Sequence, residues 1–167
     1  MNASPQTTTS TSILPLPISL TSPLTAMNPK KILIVDDNLV IRKTIGMKLK
    51  TNGYQVLEAA DGSSAVSIAR HERPDLVLLD ISFPPDVAHG GGVAWDGFLI
   101  MNWLRRMDEA KDIPIIIITG GKAEEYKNRS MAAGAVAFFE KPLNNDELLA
   151  AIRNTLGEAQ SPSSPAG

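Results

Sequence analysis

Five short apolar runs alternate with five helix-like segments along this chain, and that alternation restricts the fold more than any other feature. Lys31–Val35 (KILIV) is continuous, β-branched and closed by Asp36 and Asp37. Such a run reads as a strand buried on both faces. Over residues 38–51 the apolar positions Ile41, Ile45 and Leu49 recur every four residues, which predicts an amphipathic helix stopped by Asn52 and Gly53. Residues 54–59 form a second predicted strand. Asp61 caps a second helix running to His71, and Pro74 separates it from a third strand at 75–80 (DLVLLD). Asp96 caps a third helix with Phe98, Leu99, Leu104 and Met107 turned inward. The run 114–119 (PIIIIT) is a fourth strand, followed by a helix at 122–133, a fifth strand at 136–140 and a last helix. Asn144 with Glu147 three residues on has the pattern of a capping box at its start.

Five β–α units of this kind predict an α/β fold: an open, doubly wound, five-stranded parallel sheet with right-handed crossovers. A closed eight-unit barrel needs about 250 residues, and the chain has 167. In an open sheet the functional crevice lies beyond the carboxyl ends of the strands.

The ends of the chain are different in kind. Residues 1–29 carry no Lys, Arg, Asp or Glu and hold eleven Ser or Thr and five prolines. This segment is expected to be disordered, as is the small, polar tail 157–167. The folded domain is expected over 30–156, and a start at Met27 would still contain it. The apolar stretch 13–20 is interrupted by Pro15 and Pro17 with no preceding positive charge, which argues against a signal peptide. No apolar run is long enough to span a bilayer. The formal net charge of −2 gives no basic field for nucleic acid or an anionic membrane. The absence of cysteine excludes disulfides, thiolate metal sites and a cysteine nucleophile, and fits a cytoplasmic protein.

The chemistry lies at the strand ends. The first strand ends in Asp36 and Asp37, the third in Asp80 and the fourth in Thr119, and the fifth runs into Lys141. Three converging carboxylates repel one another unless a cation neutralises them. Oxygen ligands without His or Cys select a hard ion such as Mg2+. A lysine ammonium and a threonine hydroxyl suit a phosphoryl oxygen. Together these groups suit phosphoryl transfer to a carboxylate, in which positioning and charge neutralisation dominate. Taken singly, each has an ordinary structural explanation: a helix cap, a strand-end hydroxyl, a surface lysine. The ordered set is far more specific than its members.

The segments ILIVDDN (32–38), PDLVLLD (74–80), PIIIITG (114–120) and FFEKP (138–142) resemble the response-regulator receiver domain of two-component signalling, over essentially the whole folded region. The resemblance implies a flavodoxin-like (βα)5 fold with strand order 2-1-3-4-5. It implies Asp80 as phosphoacceptor, and Mg2+ held by Asp37 directly, by Asp36 through water, by Asp80 and by the backbone carbonyl of Ser82. Thr119 and Lys141 would contact the phosphoryl group, Phe138 would be the switch aromatic, and the Lys141–Pro142 bond would be cis. The implied donor is a histidine kinase or a histidine phosphotransfer protein. Output would pass to an unidentified protein through the face of helix four, strand five and helix five, since nothing after Leu156 could form an output domain. The resemblance also allows a phosphorylation-dependent homodimer.

One departure stands beside the acceptor. The Asp–Gly pair expected to open helix three, Asp96–Gly97, comes sixteen residues after Asp80, which leaves an inserted loop at 85–95 with a triple-glycine centre. Two other readings exist. A small-phosphoester hydrolase with an aspartyl-phosphate intermediate would want a second acid two residues after the nucleophile, where this chain has Ser82. A degenerate receiver used only for binding is opposed by the intact set of strand-end residues.

Overall fold

A computed structural model describes residues 2–3, 28–82, 96–121 and 123–157. The segments expected to be disordered at the two ends, apart from a few residues, and the inserted loop 85–95 lie outside the described residues. Ten elements alternate strictly: β1 Lys31–Val35, α1 Leu39–Thr51, β2 Gln55–Ala59, α2 Gly62–Glu72, β3 Leu76–Asp80, α3 Gly97–Arg106, β4 Ile115–Thr119, α4 Ala123–Ala132, β5 Ala137–Glu140 and α5 Asn145–Leu156. The strands pair in parallel in the order β2-β1-β3-β4-β5.

The central strands carry apolar side chains on both faces because both are covered. On one face, Leu33, Val35, Val77, Leu79, Ile115 and Ile117 pack against α2 and α3. On the other, Ile32, Ile34, Leu76, Leu78, Ile116 and Ile118 pack against α1 and α5. Phe138 joins the first cluster and Phe139 the second, as period-two alternation requires. Truncating a fully buried residue such as Ile116 to Ala costs about 2–5 kcal/mol in a packed core.

Several helix starts follow the predicted chemistry. Asn38, Asp61, Asp96 and Asn144 each accept backbone N–H bonds as N-caps. At α5 the pattern differs from a full capping box, because Glu147 accepts from the Asn144 side-chain amide rather than from its backbone N–H. In α3 the inward set also needs correction. Ile100 and Met101 are fully buried, whereas Leu99 is half-exposed. Phe98, Leu104 and Met107 are buried as predicted, so the apolar face of the helix is wider than the predicted stripe, and Leu99 lies at its margin. α2 ends one residue later than predicted, with Arg73 at φ 47° closing it.

Candidate functional site

Asp36 and Asp80 stand side by side because β1 and β3 are neighbours in the sheet and both end at the same edge. Both are almost completely buried, at 2% and 3% exposure. Asp37, the next residue along, faces solvent. One oxygen from each of Asp36, Asp37 and Asp80 lies within 4.8 Å of the others, so the three can share one ion.

Lys141 reaches into this cluster from the end of β5. Its Nζ donates to Asp36 Oδ2 at 2.7 Å and to Asp80 Oδ2 at 2.6 Å. The lysine therefore neutralises two buried carboxylates at once. Burial pulls the Lys141 ammonium toward a lower pKa, but its bonds to Asp36 and Asp80 and their charges outweigh that, and the net direction is upward. Burial raises the Asp36 carboxyl above its ordinary value. The bonds from Lys141 and the Asn38 N–H oppose the rise, and the charge of Asp80 adds to it. The Lys141–Pro142 peptide is cis, as the resemblance implies.

The other oxygen of Asp80 is held differently. Oδ1 accepts the Ser82 N–H at 2.7 Å and the Ser82 hydroxyl at 2.6 Å. Ser82 Oγ in turn accepts the Gly120 N–H at 3.0 Å. Thr119 is fully buried at the end of β4, and its hydroxyl donates to the Gly121 carbonyl at 2.8 Å, so it is turned into its own loop. Phe138 is half-buried on β5, an edge strand of the sheet. Thus Asp36, Asp37, Asp80, Ser82, Thr119 and Lys141 share one sheet edge, and Phe138 lies one alternation back along β5.

Three contributors have no site role assigned by the linear motifs. Arg42, one turn into α1, donates to the Asp36 carbonyl and lies 3.8 Å from Glu58 at the end of β2. Glu58, a strand end without an assigned role, also pairs with Lys43 at 3.0 Å. The third is Gly97. A Cβ there would stand 2.4 Å from Ile81 Cα and 2.8 Å from the Asp80 carbonyl oxygen, so α3 begins in direct backbone contact with the residue that follows the acid. A groove of about 480 Å3 flanks the site, lined by Val40, Ile41, Thr44 and Ile45 of α1 and by Pro142 and Leu143.

A parallel α/β sheet with an acidic cluster and a lysine at its carboxyl edge defines a class of phosphoryl-handling domains. Residues 32–153 match the model of the response regulator receiver domain, and the chain belongs to that family. It is 30% identical over 131 residues to the polar-differentiation response regulator DivK of Brucella anthropi, covering 78% of this chain and 99% of that one. It is 36% identical over 130 residues to sporulation initiation phosphotransferase F of Bacillus subtilis, covering 78% and 96%. Of the phosphate regulon transcriptional regulatory protein PhoB of Escherichia coli, 35% identical over 124 residues and 74% of this chain, it spans half the length. The chemotaxis protein CheY4 of Vibrio cholerae has a similar structure, with TM-score 0.67, 30% identity and coverage of 77% and 100%. So does the receiver domain of sensor histidine kinase PA1611 from Pseudomonas aeruginosa, with TM-score 0.66, 28% identity and coverage of 78% and 99%. That structure carries a magnesium ion in its active-site cleft. Among the described residues no helix is long and apolar enough to cross a membrane.

Proposed function

We propose that this chain is a phosphorylation-controlled switch in which Asp80 accepts a phosphoryl group from a histidine kinase or a histidine phosphotransfer protein, with Mg2+ as cofactor. The observation that carries this reading is the single ammonium of Lys141 shared by Asp36 and Asp80. It supports the reading because two buried carboxylates that share one ammonium are relieved by positive charge placed between them. The acid set fits a hard ion: three carboxylates whose oxygens converge, with no nitrogen or sulfur donor among them. In this reading Asp37, Asp80 and the Ser82 carbonyl hold the ion directly, and Asp36 holds it through water. Bound there, the cation offsets the repulsion between the carboxylates and the incoming phosphoryl oxygens.

The residues of the chain then divide the work. Asp80 is the nucleophile. Lys141 exchanges a carboxylate partner for a phosphoryl oxygen. Thr119 turns its hydroxyl from the Gly121 carbonyl toward the same group. Both movements act on the β4 and β5 ends, and Phe138 on β5 carries them to the face of α4, β5 and α5, where a partner protein reads the state. A hydrolase would require a protonated acid to release its leaving group, and Ser82 supplies a hydroxyl already spent on Asp80.

The test is Mg2+-dependent labelling by phosphoramidate, followed by intact mass. The parent protein should gain one phosphoryl group only with the divalent ion, and Asp80→Asn should gain none while keeping its thermal transition. Equal labelling of Asp80→Asn would overturn the assignment.

A further inference from the structure

The Ser82 side chain bridges two loops at the acceptor, and nothing in the phosphoryl-transfer scheme above gives it a task. The direction of its bonds is fixed by chemistry. A carboxylate only accepts and a backbone N–H only donates. The one hydroxyl proton of Ser82 must therefore go to Asp80 Oδ1, at 2.6 Å, while Oγ accepts from Gly120 N–H at 3.0 Å. Oδ1 also takes the Ser82 N–H at 2.7 Å. A carboxylate oxygen has two lone pairs, so both of those on Oδ1 are engaged. Oδ2 lies on the other side, turned toward Asp36 and shared with it through Lys141.

We propose that the Ser82 hydroxyl is a positioning residue that holds the acceptor closed: it must release Asp80 Oδ1 before that oxygen can bond to phosphorus, and it thereby slows phosphoryl entry. This rests on the function proposed above. Of the two donors on Oδ1, the N–H belongs to the main chain, whereas the hydroxyl can leave by rotating about one side-chain bond. Ser82 is exposed, so the displaced hydroxyl finds water. Its departure also frees the Gly120 N–H, which points at the place Oγ vacated and can donate to an incoming phosphoryl oxygen. In the unphosphorylated protein, Oγ stands in for that oxygen. With phosphoramidate, an Oδ1 lone pair forms the new P–O bond. The P–N bond breaks with its electron pair going to the nitrogen, which already carries its protons and departs as ammonia.

The experiment compares the parent with Ser82→Ala and Ser82→Thr, full chain in each case. One measurement is the rate of phosphoramidate labelling at saturating Mg2+. A second is Mg2+ affinity by titration. A third is amide hydrogen exchange at Gly120 without metal. Ser82→Ala should label at least about threefold faster, a modest change in barrier, with unchanged Mg2+ affinity and faster Gly120 exchange. Ser82→Thr keeps the hydroxyl and should restore the labelling rate and Gly120 exchange toward the parent's values. A Ser82→Ala rate equal to or below the parent's would overturn the proposal. So would unchanged Gly120 exchange, an equal gain in Mg2+ affinity, or a Ser82→Thr protein that behaves like Ser82→Ala. If the parent itself takes no label, the function proposed above fails, and this inference falls with it.

Discussion

Lys141 and Asp80 lie 61 residues apart in sequence and 2.6 Å apart between Nζ and Oδ2, and the same Nζ is 2.7 Å from Asp36. The lysine side chain is 17% exposed and both acids are nearly sealed from solvent. The two carboxylates therefore depend on one internal cation in the metal-free protein. Breaking a buried ion pair by removing one partner costs about 3–5 kcal/mol, because it leaves an uncompensated charge.

Lys141→Ala should accordingly lower the denaturation midpoint without metal, and Mg2+ should recover more stability in this variant than in the parent. The ion and the ammonium serve the same carboxylates, so one compensates for loss of the other. Chemical denaturation with and without Mg2+ measures both effects. Equal Mg2+ stabilisation of the two proteins would show that the lysine and the ion do not share ligands. On phosphorylation, Lys141→Ala should still take the label but transmit it poorly, read as a loss of the phosphorylation-dependent change in the Phe138 ring environment by NMR.

A second prediction concerns pH. Asp36 has its pKa raised from 3.8 in the folded protein, with burial as the first cause. A raised acid holds its proton longer in the native state than in the unfolded chain. Its contribution is thus full below 3.8 and is lost as pH rises through the folded value. Lys141 is raised from 10.5, so its contribution is full below 10.5 and is lost as pH climbs through its own folded value. For ion binding the consequence is direct, since Mg2+ competes with the Asp36 proton. Affinity should fall as pH drops through the raised folded value of Asp36, and Asp36→Asn should flatten that slope while weakening binding overall. Titration of Mg2+ at stepped pH is the measurement, and an unchanged slope in the variant would discount Asp36 as the titrating group.

Much of this site could be read before any coordinates, because topology does the placing. Once β1, β3, β4 and β5 are parallel in one sheet, residues at their carboxyl ends must share an edge. Asp36, Asp80, Thr119 and Lys141 needed only strand ends and strand order. What stayed hidden depends on how side chains meet across elements. The reach of Arg42 to the Asp36 carbonyl depends on the rotation of α1 over the sheet. The Ser82 hydroxyl bridge depends on two loops approaching within one hydrogen bond. The width of the buried face of α3, which takes in Ile100 and Met101 besides the predicted Phe98, Leu104 and Met107, depends on how closely that helix packs. A basic residue one turn into α1, opposite an acid at the end of β2, was the one sequence signal for the Arg42–Glu58 contact.

That contact makes a third prediction. Arg42 fixes the backbone of Asp36, and Glu58 lies 3.8 Å from its Nε. The pair is loose at 3.8 Å and Glu58 keeps Lys43 as a second partner at 3.0 Å, so loss of the pair itself should change stability by about 1 kcal/mol or less. Its effect should appear instead in the site. Arg42→Ala should weaken Mg2+ binding several-fold, because the acid pair loses the donor that pins its main chain. Isothermal titration beside a denaturation curve separates the two. A large stability loss with unchanged Mg2+ affinity would make Arg42 a packing residue only.

The last prediction tests how closely α3 must approach Asp80. Gly97 has φ outside the left-handed region, so an alanine there meets no backbone penalty of its own. The obstacle is contact. The added Cβ would sit 2.4 Å from Ile81 Cα, 2.7 Å from Ile81 Cγ2 and 2.8 Å from the Asp80 carbonyl oxygen. Two of these three atoms are backbone, and the Ile81 N–H is tied to the Ile118 carbonyl of β4 at 3.1 Å. Neither side can give without moving a helix or a strand end. Overpacking of this kind costs about 1–3 kcal/mol. Gly97→Ala should therefore lower stability by that order and also slow phosphorylation of Asp80, since the strain falls on the two residues that end β3 and begin its loop. Gly121→Ala is the control, because a Cβ at Gly121 meets nothing within 4 Å. Denaturation and phosphoramidate labelling of both variants decide the matter. If Gly97→Ala and Gly121→Ala were indistinguishable in both measurements, the close approach of α3 to β3 would carry no weight in holding Asp80.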